Sequence, residues 1–255
     1  MSTPPSSHGA RERRERILAH IGRYRVTLRA ALTALLGQDP GNDLDALVAS
    51  GLVVREPVSG RLSLYRLTLA GALAAGVPKD RAERPGSRAL SVHLALLWFC
   101  EMGAERRLRL ETEELRALLG EGAPAVDQAP HVAEEQAAGE PRLYRVFLLG
   151  QRASEAYTLA AIERDIGAAL ETGDARGFWL KRRVYGYLVL TELESRLRRL
   201  ERAIHKRGLD SKALVRVQCA PGPKTLRTAL DAYRRTHPAP LRGTAREATP
   251  RRERR

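Results

Sequence analysis

Cysteine is nearly absent from this chain: Cys100 and Cys219 are its only two, far apart and without a His or Cys at metal-ligand spacing. That excludes a disulfide framework and a zinc finger, and both residues read as buried thiols in a reducing compartment. Long apolar runs are missing too. The most apolar stretch, "ALSVHLALLWFCEM", is interrupted by His93 and falls short of the roughly 20 residues a membrane helix needs. The opening "MSTPPSSHGARERRER" has no apolar signal region, so a cytoplasmic protein with no membrane partner is expected. The six His are scattered and none falls in an HExxH pattern, and no Walker loop, GxGxxG or GxSxG occurs. His93, on an otherwise apolar helix, reads as a core residue rather than a ligand. No cofactor, metal or small-molecule substrate is therefore indicated.

What the chain has in abundance is arginine. Of 44 basic residues only five are Lys, and the net charge is +14. Its distribution is uneven. Residues 1–30 carry a net +5, residues 31–180 a net −5 and residues 181–255 a net +14. Cations clustered at two ends are the usual footprint of a polyanion partner, because neutralising phosphates releases condensed counterions. An Arg- and Ala-rich composition can also reflect codon usage, so charge alone favours nucleic acid without establishing it. At 255 residues the chain suits one large or two modest domains.

The N-terminal part orders itself by periodicity. Ile17, Ile21 and Tyr24 recur at helical spacing, and Leu28, Ala31, Leu32, Leu35 and Leu36 make a second stripe. After "DPGN" a third helix is expected, capped by Asn42 or Asp43, with Leu44, Leu47 and Val48 inward and Gly51 as its stop. "GLVVREPVSGRLSLYRLTLAG" then reads as a hairpin with "EPVSG" at its tip and a short helix opening at "LTLAG". Three helices and a hairpin make a winged helix-turn-helix over 11–78, preceded by a disordered 1–10. A plain α+β packing unit with no DNA role is the alternative.

The third helix is an unusual DNA reader, since it is expected to expose Asn42, Asp43, Asp45 and Ser50, a weakly acidic face. The DNA contacts expected are therefore Arg11, Arg13, Arg14 and Arg16 on the first helix, Asn42, and Arg55, Ser59, Arg61 and Arg66 on the wing. The alternatives are a solvated helix and a hairpin used for dimer contacts.

A linker over 79–88 precedes a domain over 89–235, and a basic disordered tail over 236–255 follows it. A helix through Leu90, Leu94, Leu97 and Trp98, a strand at "RRLRLE", a capped turn at "TEELRALLG" and a buried strand at "RLYRVFLLG" come first. Next come a helix from Ser154 to Gly173 and one long helix carrying Val184, Leu188, Leu193, Leu197, Leu200 and Ile204 to Gly208. "ALVRVQC" is a second buried strand, and "PGPK" opens a last helix. Residues 111–140 hold eight acids and one Arg, with an exposed acidic loop expected between Gly120 and Glu140. The whole is mixed α/β, a winged helix-turn-helix followed by a small α/β sandwich. The basic helix "ESRLRRLERAIHKRG" could be a core helix with a solvated face, a homodimer seam or a phosphate-contacting stripe.

With "GLVVREPVSGRLSLYRLTLAG", "SVHLALLWFCEM", "RLRLETEELRALLG", "RLYRVFLLG" and "ALVRVQCAPG" in this order, the chain resembles the replication-relaxation proteins of bacterial mobile elements over most of 10–235. The resemblance implies a nuclease-like core of restriction-endonuclease type, in which an Asp and an acid-x-Lys pair would hold magnesium. Asp127 could take the first place. The strand due to carry the pair reads Val146, Phe147, Leu148, Leu149, Gly150, Gln151, and two converging carboxylates cannot be assembled. The expectation is a non-catalytic protein binding double-stranded DNA, with accessory or regulatory work in replication, transfer or transcription of a plasmid or other mobile element. Its rivals are a protein-interaction or assembly module on a winged-helix scaffold and a metal-dependent nuclease whose acids are not aligned.

Overall fold

The computed structural model describes residues 7–59, 62–103, 105–120, 129–137, 140–150, 153–173 and 175–237. Helix α1 (Ser7–Tyr24) buries Ile17, Leu18, Ile21 and Tyr24 along the expected stripe and begins four residues before the boundary set at 11. Helix α2 (Arg29–Leu36) ends at Gly37, whose positive φ of 68° lets its N–H turn back to the Thr33 carbonyl. Helix α3 (Gly41–Ala49) starts earlier than expected. Asp39 accepts a hydrogen bond from the Gly41 N–H, so neither Asn42 nor Asp43 serves as the cap. Gly51 is the stop: its N–H donates to Val48 and that of Leu52 to Leu47, the paired bonds of a Schellman turn.

Strands β1 (Val53–Ser59) and β2 (Leu62–Leu67) pair antiparallel. Thr27, between α1 and α2, adds a third rung, exchanging both backbone hydrogen bonds with Tyr65 at 2.9 Å. Helix α4 (Leu69–Ala74) follows, capped by Thr68. Two expectations change here. The strands continue through the supposed tip, with Glu56 opposite Leu64 and Pro57 opposite Ser63. Val48, expected inward, is 36% exposed, because α3 turns only Leu44 and Leu47 to the core.

The second part is built on a five-stranded sheet of order β3-β4-β5-β6-β7. Helix α5 (Ser87–Glu101) leads to β3 (Arg107–Leu110) and α6 (Thr112–Leu119), the latter closed by a capping box between Glu111 and Glu114. Strands β4 (His131–Glu134) and β5 (Arg142–Leu149) complete an antiparallel run. Then the connections change character. Helices α7 (Glu155–Thr172) and α8 (Ala175–Lys181) cross to β6 (Tyr185–Thr191), and α9 (Glu194–Lys206) with α10 (Leu209–Lys212) crosses to β7 (Leu214–Cys219). Both added strands are parallel. Helix α11 (Leu226–Thr236) closes the described chain.

Strand β6 corrects the long helix expected through Val184 and Leu188. Every residue of β6 is buried, so its apolar run lacks the alternation of a half-exposed strand and merges with the helical spacing that follows. Gly186 gives the physical reason for the strand: a Cβ there would overlap the Leu214 carbonyl of β7, so the glycine sets how closely the two strands approach. Strand β4 corrects part of the acidic loop, for His131, Val132 and Glu134 are buried. Cys219 is only half-buried, unlike Cys100.

The segment expected as a linker carries structure of its own. A 3-10 turn over Lys79–Ala82 is tied down by Arg25 to Asp80 and Arg81 to Glu111. One apolar cluster runs from Tyr24, Val26, Leu28 and Leu64 through α5 to Tyr144 and Leu188 in the sheet and Leu230 on α11. A second, on the opposite face of the sheet, packs α6, α7 and α9. Among the described residues no helix is long and apolar enough to cross a membrane.

Candidate nucleic-acid interface

Helix α1 presents its arginines to acceptors within the protein. Arg13 donates to Asp43 Oδ2 at 2.8 Å and Arg14 to Oδ1 at 3.3 Å, so the carboxylate expected on the surface of α3 is 6% exposed. The i,i+4 spacing of Arg11 and Glu15 makes an exposed ion pair of 2.8 Å, and Arg16 reaches the Leu35 carbonyl at 3.4 Å. Asn42 is exposed, beside exposed Asp45, Val48, Ala49 and Ser50. With Asp43 neutralised, α3 shows one acid and a short apolar patch rather than an acidic face.

The wing residues separate into different roles. Arg66 is a stem clamp: it pairs with Glu56 at 2.6 Å and donates to the Ala82 carbonyl at 3.0 Å, which fastens β2 to the 3-10 turn. Arg84 shares Glu56 at 3.3 Å. Arg55 is exposed and donates only to Ser63 Oγ, at 3.0 Å. It lies opposite Tyr65, four residues before the end of β1, so about 13 Å of strand separates it from the tip. Arg61 and the Ser59 side chain lie outside the described residues, as do Asp127 and the tail from 238. Arg55 is therefore the wing arginine whose charge is unpaired among the described residues.

Buried titrating groups gather where α1 meets α5 and β3. His20 shares a 3.0 Å hydrogen bond with Thr27 Oγ1, and burial, helped by Arg23, pushes its pKa down to about 3. Burial raises Glu101 and the Tyr24 hydroxyl and takes Cys100 up to about 12. Arg23 grips Glu114 with two hydrogen bonds of 2.7 and 2.8 Å and the Arg109 carbonyl at 2.6 Å, covering the outer edge of β3. A cleft of about 590 Å³ lies beside this junction. Its charged lining, Arg16, Arg23 and Arg81 against Glu101, Glu111 and Glu113, cancels in sign. It selects no class of charged ligand.

The inner carboxylates of the sheet domain are saturated by arginine. Glu134 accepts from Arg107 and Arg216, both at 2.8 Å. Asp165 accepts from Arg145 at 2.7 Å, Arg176 at 3.0 Å and the Tyr187 hydroxyl at 2.7 Å. These partners outweigh burial and hold both carboxylates below the usual range. Their oxygens serve packing, and among the described residues no group of three His, Cys, Asp or Glu is placed to hold a metal ion.

Among the described residues three exposed cations with no carboxylate partner share one face of α9, a helix outside the set of DNA contacts expected from sequence. Arg198, Arg202 and Lys206 are exposed, while Arg196 and Arg199 pair with Glu155 and Arg207 with Glu163 on α7. The signal was in "ESRLRRLERAIHKRG", but separating paired from unpaired arginines requires knowing which helix lies alongside. In comparisons with known proteins, no family model, curated protein or solved structure matches the chain.

Proposed function

We propose that this protein is a non-catalytic, double-stranded-DNA-binding accessory or regulatory protein of a plasmid or other mobile element, its N-terminal unit acting as a winged helix-turn-helix. One observation carries the reading. The α1-α2-α3-hairpin order is joined by an isolated backbone bridge between Thr27 and Tyr65, which ties the two-stranded hairpin to the α1-α2 connection as a wing would be. The α/β unit is compatible with a degenerate nuclease-like core, because strand β5 carries no acids and Glu134 and Asp165 are spoken for by arginines. Membership of the replication-relaxation family is part of the same proposal.

The test is a wing variant. Arg55→Glu with Arg61→Glu should weaken duplex binding by more than about tenfold and reduce the salt slope by about 0.9 for each phosphate that is no longer neutralised. Unchanged affinity would remove the wing from the interface. The second reading, a protein-interaction module, is favoured by the exposed Val48 and Ala49 on α3, which suit a protein surface better than a base edge. Magnesium-dependent cleavage of plasmid DNA that is abolished on replacing Asp127 would overturn the non-catalytic part.

A further inference from the structure

We infer that α9 is a second, sequence-independent contact for the backbone of duplex DNA, made by Arg198, Arg202 and Lys206. This rests on the DNA-binding reading above, and it places an interface far along the chain from the wing.

The three residues stand at i, i+4 and i+8, so they form one row about 12 Å long on the helix. Like charges at this spacing repel one another. Three other arginine pairs are relieved by a shared acid. Arg13 and Arg14 share Asp43, Arg107 and Arg216 share Glu134, and Arg145 and Arg176 share Asp165. On α9 itself Arg196, Arg199 and Arg207 turn to acids of α7. Among the described residues the outer row receives no such partner. All three side chains are exposed, and the one hydrogen bond among them runs from Arg202 Nε to the Arg198 carbonyl at 3.2 Å. Glu201, also exposed, forms no ion pair with them.

The inner side of α9 explains why the row is rigid. Leu200 and Ile204 are buried against the sheet, and the ion pairs to α7 fix the helix about its axis. A 12 Å row of fixed positive charge matches about three to four successive phosphates of one strand, each adding about 3.4 Å along the duplex axis. The row also lies within the part of the chain, 181–255, that carries a net +14. A row of cations along one strand neutralises phosphates, and phosphate contacts supply affinity rather than sequence choice.

The experiment compares full-length variants on one duplex over a range of salt. Arg198→Gln/Arg202→Gln/Lys206→Gln should bind at least about tenfold more weakly at low salt and lower the slope by up to about 2.7. Arg198→Lys/Arg202→Lys, which keeps the charge, should bind as the parent does. A control removing three other exposed cations, Arg88, Arg116 and Arg142, should change little. Equal weakening in the control, or parental binding by the α9 triple variant, overturns the inference while leaving the wing reading intact. A parent protein that does not bind duplex overturns both. Melting temperatures check the fold, and the triple variant should melt no lower than the parent because repulsion along α9 is removed.

Discussion

Asp43 separates what charge alone suggests from what the packing dictates. From sequence, reversing Asp43 and Asp45 to Lys should strengthen non-specific DNA binding by removing two acids from α3. In the fold the two are not equivalent, since Asp43 is 6% exposed between Arg13 and Arg14 and Asp45 is exposed. The Arg13 bond, at 2.8 Å from a side chain only one quarter exposed, is charge-assisted and worth about 1.5–3 kcal/mol. The Arg14 bond is longer, at 3.3 Å, and nearly half exposed, so it adds under about 1 kcal/mol. Asp43→Lys removes both and sets a third cation against two guanidiniums, giving a destabilisation of about 2–3 kcal/mol. At about 2–4 °C per kcal/mol for a chain of this size, Tm should fall by roughly 5–10 °C. Asp45→Lys should stay within about 0.5 kcal/mol and bind duplex more tightly. Thermal melting of the two variants beside the parent decides the matter. An Asp43→Lys protein that melts within a degree of the parent refutes the clamp.

Acid should weaken the fold through its buried histidines. His20 and His93 are both pushed down to about 3, first by burial and then by nearby arginines, so the folded state holds them neutral while the unfolded chain takes up protons below about 6.5. Stability is therefore full above about 6.5 and falls as pH drops towards 3, by up to about 1.4 kcal/mol per pH unit for each histidine. Denaturant melts at pH 7 and 5 check this, and equal midpoints would contradict it. Gly186→Ala should destabilise by at least about 1–3 kcal/mol, because the new methyl meets backbone rather than a movable side chain. Parental Tm for that variant would mean that β6 and β7 are not packed as described.

The N-terminal unit was largely legible because its signals are local: apolar spacing in α1 and α2, and glycines that can take the positive φ required at 37 and 51. The burial of Asp43 was not legible, since it depends on α1 lying across α3. In the second unit the strands at β3, β5 and β7 and the Ser154 cap of α7 could be read from alternation, apolar runs and capping chemistry. The central strand β6 could not. Burial on both faces erases its period, and its leucines continue the spacing of α9. Strand β4 was hidden by its own charges, for Glu134 looks like a solvated acid until Arg107 and Arg216 are brought to it from β3 and β7. The same non-local pairing hid the candidate site. Sequence counts arginines, but only the fold shows that Arg13, Arg14 and Arg66 are bound within the protein and that Arg198, Arg202 and Lys206 are not.

The central claim is duplex DNA binding driven by phosphate neutralisation, and the salt dependence of binding by the unaltered chain tests it most directly. Affinity for a fluorescent duplex should fall linearly on logarithmic axes between about 50 and 250 mM salt, with a slope of about −3.6 if Arg55 and the three α9 cations each neutralise one phosphate. Absence of binding at the lowest salt, or an affinity that does not change with salt, would contradict the account.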